Sequence, residues 1–278
     1  MTRVRVRWRR VRRAAGNALD AAGLLGPFYR LRRRWVAARA PMRRGGEYAG
    51  LPMPPARLRV MVDSGGDPQR FHRVGALNRD TILRTLERAG TEIASLGSIL
   101  DFGCGCGRVA RHWANLDGPE LHGCDYNPEL VDWCRANLEF MEARVNGLEP
   151  PLPYESASFD LVYAISVLTH LTEPLATAWL DELARVVRPG GLLLVTTHGK
   201  LHRDGIPPRS RAAFDRGELV VARRRLPGTN ACAAFHPRAY MEAQLASRFD
   251  SVAFYGDGAN LPFHQDVYLA RAPLSPGR

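Results

Sequence analysis

Ile99-Leu100-Asp101-Phe102-Gly103-Cys104-Gly105-Cys106-Gly107 is the stretch that decides the fold. Residues 96–100 supply the apolar lead-in of a buried strand. Asp101 closes it, and three alternating glycines follow. Glycine turns sharply and lets backbone N–H groups come up against a ligand. Arg108 to Leu116 reads as the start of a helix. Strand, glycine loop and helix in succession make the nucleotide site of a doubly wound α/β sheet. The spacing separates two versions of that site. A dinucleotide loop runs Gly-x-Gly-x-x-Gly/Ala. Counted from Gly103, it needs Gly or Ala at position 108, where Arg108 stands.

The segments that follow agree with one another. Leu121-His122-Gly123-Cys124-Asp125 reads as a second short strand ending in an acid. Asp125 lies 22 residues after Gly103, close to the spacing at which an acid reaches ribose hydroxyls. A carboxylate can accept both the 2′ and 3′ hydroxyl protons. A helix over 128–140 follows, with Asn127 as its cap and Pro128 at its first position. Phe159 to Ser166 is a third apolar strand, and residues 176–187 form an amphipathic helix stopped by Pro189-Gly190-Gly191. Leu192 to Thr197 is a fourth strand, and strands over 251–255 and 267–270 follow a helix over 238–249.

The alternating glycines two residues after an acid, the acid of the second strand, the Ser-Phe-Asp-Leu-Val strand and the Arg-Pro-Gly-Gly hinge resemble the class I S-adenosylmethionine (SAM) methyltransferases. The resemblance covers about residues 75–200. It implies a Rossmann-like, mostly parallel seven-stranded sheet in the order 3-2-1-4-5-7-6, with the last strand antiparallel. It implies SAM as cofactor, held by Asp101, Gly103, Cys104, Gly105, Gly107, Asp125 and Tyr126, with Asn146, Gly147, Leu148 and Ser166 around it. Asn146 stands where the family more often has Asp. Methyl transfer from a sulfonium is an in-line displacement that asks mainly for positioning and exclusion of water. An oxygen acceptor often needs a base. His170 and His198 follow successive strand ends and are the candidates, since imidazole titrates near pH 6.5. Each also reads as a histidine that simply fixes a loop. His202 shares the rim with His198. The metal-dependent type of this family needs an acid at these strand ends. Ser166 and His198 stand there instead, so no metal is expected.

Charge divides the chain. Residues 1–46 hold 14 Arg and one acid, Asp20, a net of +13 against +11 for all 278 residues. The remainder therefore carries 11 − 13 = −2. Val4, Trp8, Val11, Ala15, Ala18, Ala22 and Leu25 fall on one helical face within a field of Arg. A basic helix of this kind fits an anionic membrane surface. It also fits nucleic acid without sequence preference, or an Arg-rich extension with no dedicated partner. The slightly acidic body speaks against nucleic acid, because a groove for phosphates should itself be basic.

The sequence thus divides into an Arg-rich helical extension (1–46), a Gly- and Pro-rich linker or lid (47–74) and a SAM-binding domain (75–278). That domain carries a substrate-cap insertion at about 198–237. Five scattered cysteines make no disulfide or zinc framework, and no apolar run reaches membrane-spanning length, so a reducing cytoplasm is expected. The expected function is methyl transfer to a small-molecule, glycan or lipid-linked acceptor, preferably on oxygen. Two alternatives stay open: a non-catalytic SAM-binding module recruiting partners through the tail, and a nucleic-acid methyltransferase.

Overall fold

The structure is a computed structural model, and it describes residues 19, 22–63, 65–255 and 264–274. Helix α1 spans Leu25–Arg39, a hairpin pairs β1 (Gly46–Tyr48) with β2 (Leu51–Met53), and helices α2 (Ala56–Val62) and α3 (Pro68–Arg88) follow. The main body runs β3 (Ser98–Phe102), β4 (Glu120–Asp125), α4 (Pro128–Asn137), β5 (Met141–Val145), β6 (Phe159–Ala164), α5 (Glu173–Val186) and β7 (Val187–Thr197). After the short helix α6 (Arg211–Asp215) come the pair β8 (Val220–Ala222) and β9 (Ala233–Phe235), then α7 (Arg238–Ala246), β10 (Ser251–Phe254) and β11 (Asp266–Arg271).

Seven strands form one sheet in the order β10-β11-β7-β6-β3-β4-β5. Renumbered within the sheet, this is the expected 3-2-1-4-5-7-6 read from the other edge. β11 is antiparallel to both its neighbours, and the β3, β4, β5, β6 and β7 pairings are parallel. Side chains of a strand alternate between faces, so each strand feeds two cores. Leu100, Phe102, Val162, Ala164, Leu193 and Val195 pack with Trp179, Leu180 and Leu183 of α5 and Met241 and Leu245 of α7. Ile99, Leu161, Tyr163, Leu192 and Leu194 pack on the other face with Ile82 and Leu86 of α3 and Val131 and Cys134 of α4.

The order of β3 next to β4 on one side and β6 on the other puts a topological switch point at the carboxyl end of β3. α4 starts as expected: Asn127 Oδ1 accepts the Glu129 N–H at 3.1 Å, and Pro128 occupies the first helical position.

Two expectations are corrected. No helix forms over 108–116; the chain makes turns and a single 3-10 segment, Ala110–Trp113. Its side chains are drawn in three directions. Arg111 donates to Tyr48 O, His112 contacts His72 O at 3.0 Å, and the Trp113 indole donates to Tyr163 Oη at 3.0 Å. Of the two readings of 47–74, linker and lid, the linker does not hold: β2, α2 and the first turns of α3 occupy it. Asp67 caps α3 by accepting the Arg70 N–H at 2.7 Å, ahead of Pro68. Arg59, wholly buried, clasps this wrap by donating to Gly66 O, Met42 O, Pro41 O and Pro54 O.

Of the tail helix face expected over 4–25, residues 1–18, 20 and 21 lie outside the described residues. No described helix is long and apolar enough to cross a membrane. The five cysteines are buried, and no disulfide is formed among the described residues.

Candidate active site

A cavity of about 330 Å³ opens at the switch point, within the size range of small-molecule sites. The glycine loop forms its floor in an unexpected way. Gly103 and Gly105 have φ of 76° and 59°, which favours glycine. Yet the loop's N–H groups are spent within the protein. Those of Gly103 and Cys104 donate to Cys124 O at 2.8 and 3.0 Å, and that of Gly107 to Cys104 O at 3.1 Å. The Gly105 N–H donates to Asp125 Oδ2 at 3.0 Å, and the Asn127 N–H to Asp125 Oδ1 at 2.9 Å. The loop therefore holds the Asp125 carboxylate instead of offering these donors to a ligand.

Asp125 lines the cavity and is 8% exposed. Burial raises its carboxyl to about 6, against the two N–H bonds that favour the charged form. Each oxygen can accept two hydrogen bonds and takes one from the backbone, so one site on each is left for a ligand hydroxyl. Tyr126, Asn146, Gly147 and Leu148 continue the wall from Asp125, and Asn146 Oδ1 is buried with no hydrogen-bond partner.

Asp101, Cys104 and Gly107 do not line the cavity. Asp101 is 3% exposed beneath it, where burial lifts its carboxyl to about 7 despite a hydrogen bond with Tyr163 and the Arg108 charge. Cys104 packs toward Gly123, and the Gly107 backbone toward Leu138.

The remaining strand ends supply the other wall. Ser166 has φ of 63°, uncommon for a residue with a Cβ and often found at functional sites. Its Oγ accepts from Gln265 Nε2 at 2.8 Å, and Gln265 Oε1 accepts from Thr196 Oγ1 at 2.7 Å. Gln265 reads in the sequence as a turn residue; the fold brings it 2% exposed into the cavity wall at the start of β11.

His170 and His198 also line the cavity, with ring centroids 6.4 Å apart. His170 Nδ1 faces Cys232 O at 2.9 Å, and His198 Nδ1 faces Ala234 O at 3.2 Å. A carbonyl oxygen can only accept, so Nδ1 carries the proton on each ring and Nε2 keeps a lone pair. Burial lowers both pKa values. His198 falls well below the usual range, helped by neighbouring His202 and His170. Both imidazoles are therefore neutral at pH 7. His202 stacks 4.3 Å from His198 but does not line the cavity.

Several lining residues were not legible in the sequence. Tyr29 and Arg33 reach in from α1, Met61 to Asp63 from the end of α2, and Arg70 from α3. Asp63 pairs with Arg70 at 2.9 Å. Residues 228–230 fold over from the insertion: the Gly228 N–H donates to His170 O at 2.8 Å, and Asn230 Nδ2 to Met61 O at 2.8 Å. A Cβ at Gly228 would stand 2.9 Å from Leu148 and 3.3 Å from Tyr126. The glycine thus lets the insertion close onto the wall beside Asp125. Arg70, Arg108 and Arg33 give the cavity a cationic side, with Asp63 and Asp125 opposite in charge. Among the described residues no group of three or more His, Cys, Asp or Glu could hold a metal ion.

Residues 99–191 match the family described as a methyltransferase domain. The chain is 31% identical over 139 residues to a ubiquinone biosynthesis O-methyltransferase of Xanthomonas oryzae pv. oryzae. The match covers 49% of this chain and 54% of that protein, so the chain spans about half the length of the curated relatives it matches. The like-named protein of Xylella fastidiosa is 28% identical over 139 residues, 49% of this chain and 53% of that one. Among solved structures, the N-terminal domain of EvdMO1, with S-adenosylhomocysteine (SAH) and D-fucose, superposes with a TM-score of 0.55 at 18% identity. That superposition spans 88% of this chain and 97% of that one. Human N-acetylserotonin methyltransferase in complex with SAM gives 0.52 at 20% identity, over 74% and 54%.

Proposed function

We propose that this chain, which carries a domain of the class I SAM-dependent methyltransferase family, transfers a methyl group to an oxygen of a small-molecule acceptor. The observation that carries the reading is the pairing, in one cavity, of a carboxylate held by the glycine loop with two neutral imidazoles whose Nδ1 protons are engaged by carbonyls. The residues present fit the cofactor. Asp125 suits a ribose diol, and the orphaned Asn146 Oδ1 suits an amino group of the base beside Tyr126 and Leu148. Arg70 or Arg108, with Asp63, suits an amino-acid carboxylate and ammonium.

When bound, SAM supplies an electrophilic methyl on a sulfonium. The protein's share is placement and proton handling. His170 or His198 takes the acceptor's hydroxyl proton at Nε2; burial leaves that nitrogen unprotonated at neutral pH but also weakens it as a base, more so at His198, whose pKa falls well below the usual range. Ser166, Thr196 and Gln265 hold the two strand ends in register. Tyr29, Arg33 and residues 228–230 roof the cavity and exclude water. The O-methyltransferase names of the curated relatives support oxygen as the acceptor atom. Small molecules, glycans and lipid-linked compounds all offer such an oxygen. The basic extension favours a lipid-linked one presented at an anionic surface.

The test is transfer from methyl-labelled SAM into extracted cell fractions. Label that survives mild alkali yet is released as methyl iodide by hydriodic acid, as methyl ethers are, is expected. Label that leaves as methanol would place the methyl on a carboxylate instead, and label confined to nucleic acid would overturn the reading.

A further inference from the structure

Helix α1 has two working faces, and the cavity uses only one. Leu25, Tyr29, Arg33, Val36 and Ala37 turn inward. Ala37 and Val36 pack on Ala56 and Val60 of α2, while Tyr29 and Arg33 line the cavity. On the opposite side Leu24, Phe28, Leu31 and Trp35 stand 54%, 49%, 68% and 57% exposed. Their spacings of four, three and four make one continuous stripe at helical period. At 100° per residue, Arg32 and Arg39 fall along one edge and Arg34 along the other, with Arg30 further round the helix. Arg39 lies over the Trp35 ring at 4.2 Å. The helix contains no acid. Four large apolar side chains on one short helix exceed the scattered exposure that needs no explanation. An apolar stripe edged on both sides by Arg, with Trp on it, is the pattern of a helix lying in an anionic bilayer surface.

We propose that the outer face of α1 is a docking site for an anionic lipid bilayer, with Leu24, Phe28, Leu31 and Trp35 seated in the interface. The charge complementarity selects this occupant: apolar contact alone would serve a protein partner, but three flanking Arg and no acid match a negatively charged surface. Nucleic acid offers nothing to a face with this much apolar area. The site differs from the face expected over residues 4–25; it lies on the next segment, and the same helix forms part of the cavity wall. A seated α1 would set the cavity rim against the bilayer, so an acceptor dissolved in lipid would arrive without crossing water. That last consequence rests on the methyltransferase reading; the docking does not.

Flotation of the full chain with phosphatidylcholine vesicles, with and without 30% phosphatidylglycerol, tests it. The wild type should float with the anionic vesicles and at least tenfold less with neutral ones. Arg34→Gln with Arg39→Gln should weaken anionic partition, by about fivefold for each Arg lost from the surface. Leu31→Glu with Trp35→Glu should reduce flotation at least tenfold in 0.3 M salt, where charge attraction from other Arg is screened. SAM affinity by calorimetry should stay within twofold in both double variants, since neither touches the inner face. Flotation of the Leu31→Glu/Trp35→Glu variant equal to wild type would overturn the proposal. So would a wild-type dimer that this variant dissociates, because the face would then be a contact between copies. Failure of the wild type to bind SAM would sink the methyltransferase reading and leave the flotation result standing.

Discussion

At the scale of single residues, the glycine loop is read most usefully through the carboxylates around it. Asp125 and Asp101 are both acids that burial pushes upward, to about 6 and about 7, but they do different work. Asp125 faces the cavity, so protonation removes an acceptor from the diol. SAM affinity should therefore fall as pH drops through about 6, and Asp125→Asn should bind more weakly and with a flatter pH profile, as calorimetry across pH 5 to 8 can measure. Asp101 faces the protein. Its folded-state pKa lies above the value of the unfolded chain, so the stability linked to it is present below about pH 4 and is lost as pH rises through about 7. Asp101→Asn, neutral throughout, should shrink the difference in Tm between pH 5 and pH 8; an unchanged difference would contradict the burial argument. Of the two imidazoles, the one that takes the acceptor's proton should lower kcat on the order of 100-fold when changed to Ala, with SAM affinity kept. If His170→Ala and His198→Ala both leave kcat intact, neither is the base.

At the scale of elements, legibility followed local signals. Six of the seven strands of the sheet and the cap of α4 were readable because an apolar run and an Asn-Pro pair are local; β5, which alternates buried and exposed residues over Met141–Val145, was not read, and the Pro-Gly-Gly read as a stop lies inside β7. Residues 108–116 misled because their apolar pattern suits a helix. Their side chains instead serve Tyr48, His72 and Tyr163, contacts of long sequence separation. The glycine spacing was legible, while its use was not. A Cβ at Gly103 would meet Val167 Cγ2 at 2.5 Å, and one at Gly105 would meet Val62 Cγ2 at 2.6 Å. Gly103→Ala should thus combine a strained left-handed residue with a clash against the segment after β6. It should lower stability by about 1–3 kcal/mol in urea unfolding. Stability equal to wild type would show that the loop has slack.

At the scale of the whole molecule, the cavity is a composite of the sheet, the N-terminal wrap and the insertion over 198–237. The sequence placed Asp125, Tyr126, Ser166, His170 and His198 around it at or after recognisable strands, and the family resemblance placed Asn146, Gly147 and Leu148. It could not place Tyr29, Arg33, Met61, Arg70 or Asn230, which arrive by tertiary packing from segments without a motif of their own. Arg59 is the clasp of that wrap, and Arg59→Met would leave four carbonyls without their donor, those of Gly66 and Pro54 buried. A loss of about 3 kcal/mol or more in urea unfolding is expected. The central claim is that these parts converge on a cofactor site organised by Asp125. Titration calorimetry of the wild type and of Asp125→Ala with SAM and SAH tests it most directly. The account predicts one site for either ligand in the wild type and a loss of about 2–3 kcal/mol of binding in a folded Asp125→Ala. Undiminished affinity in that variant, or no binding by the wild type, would contradict it.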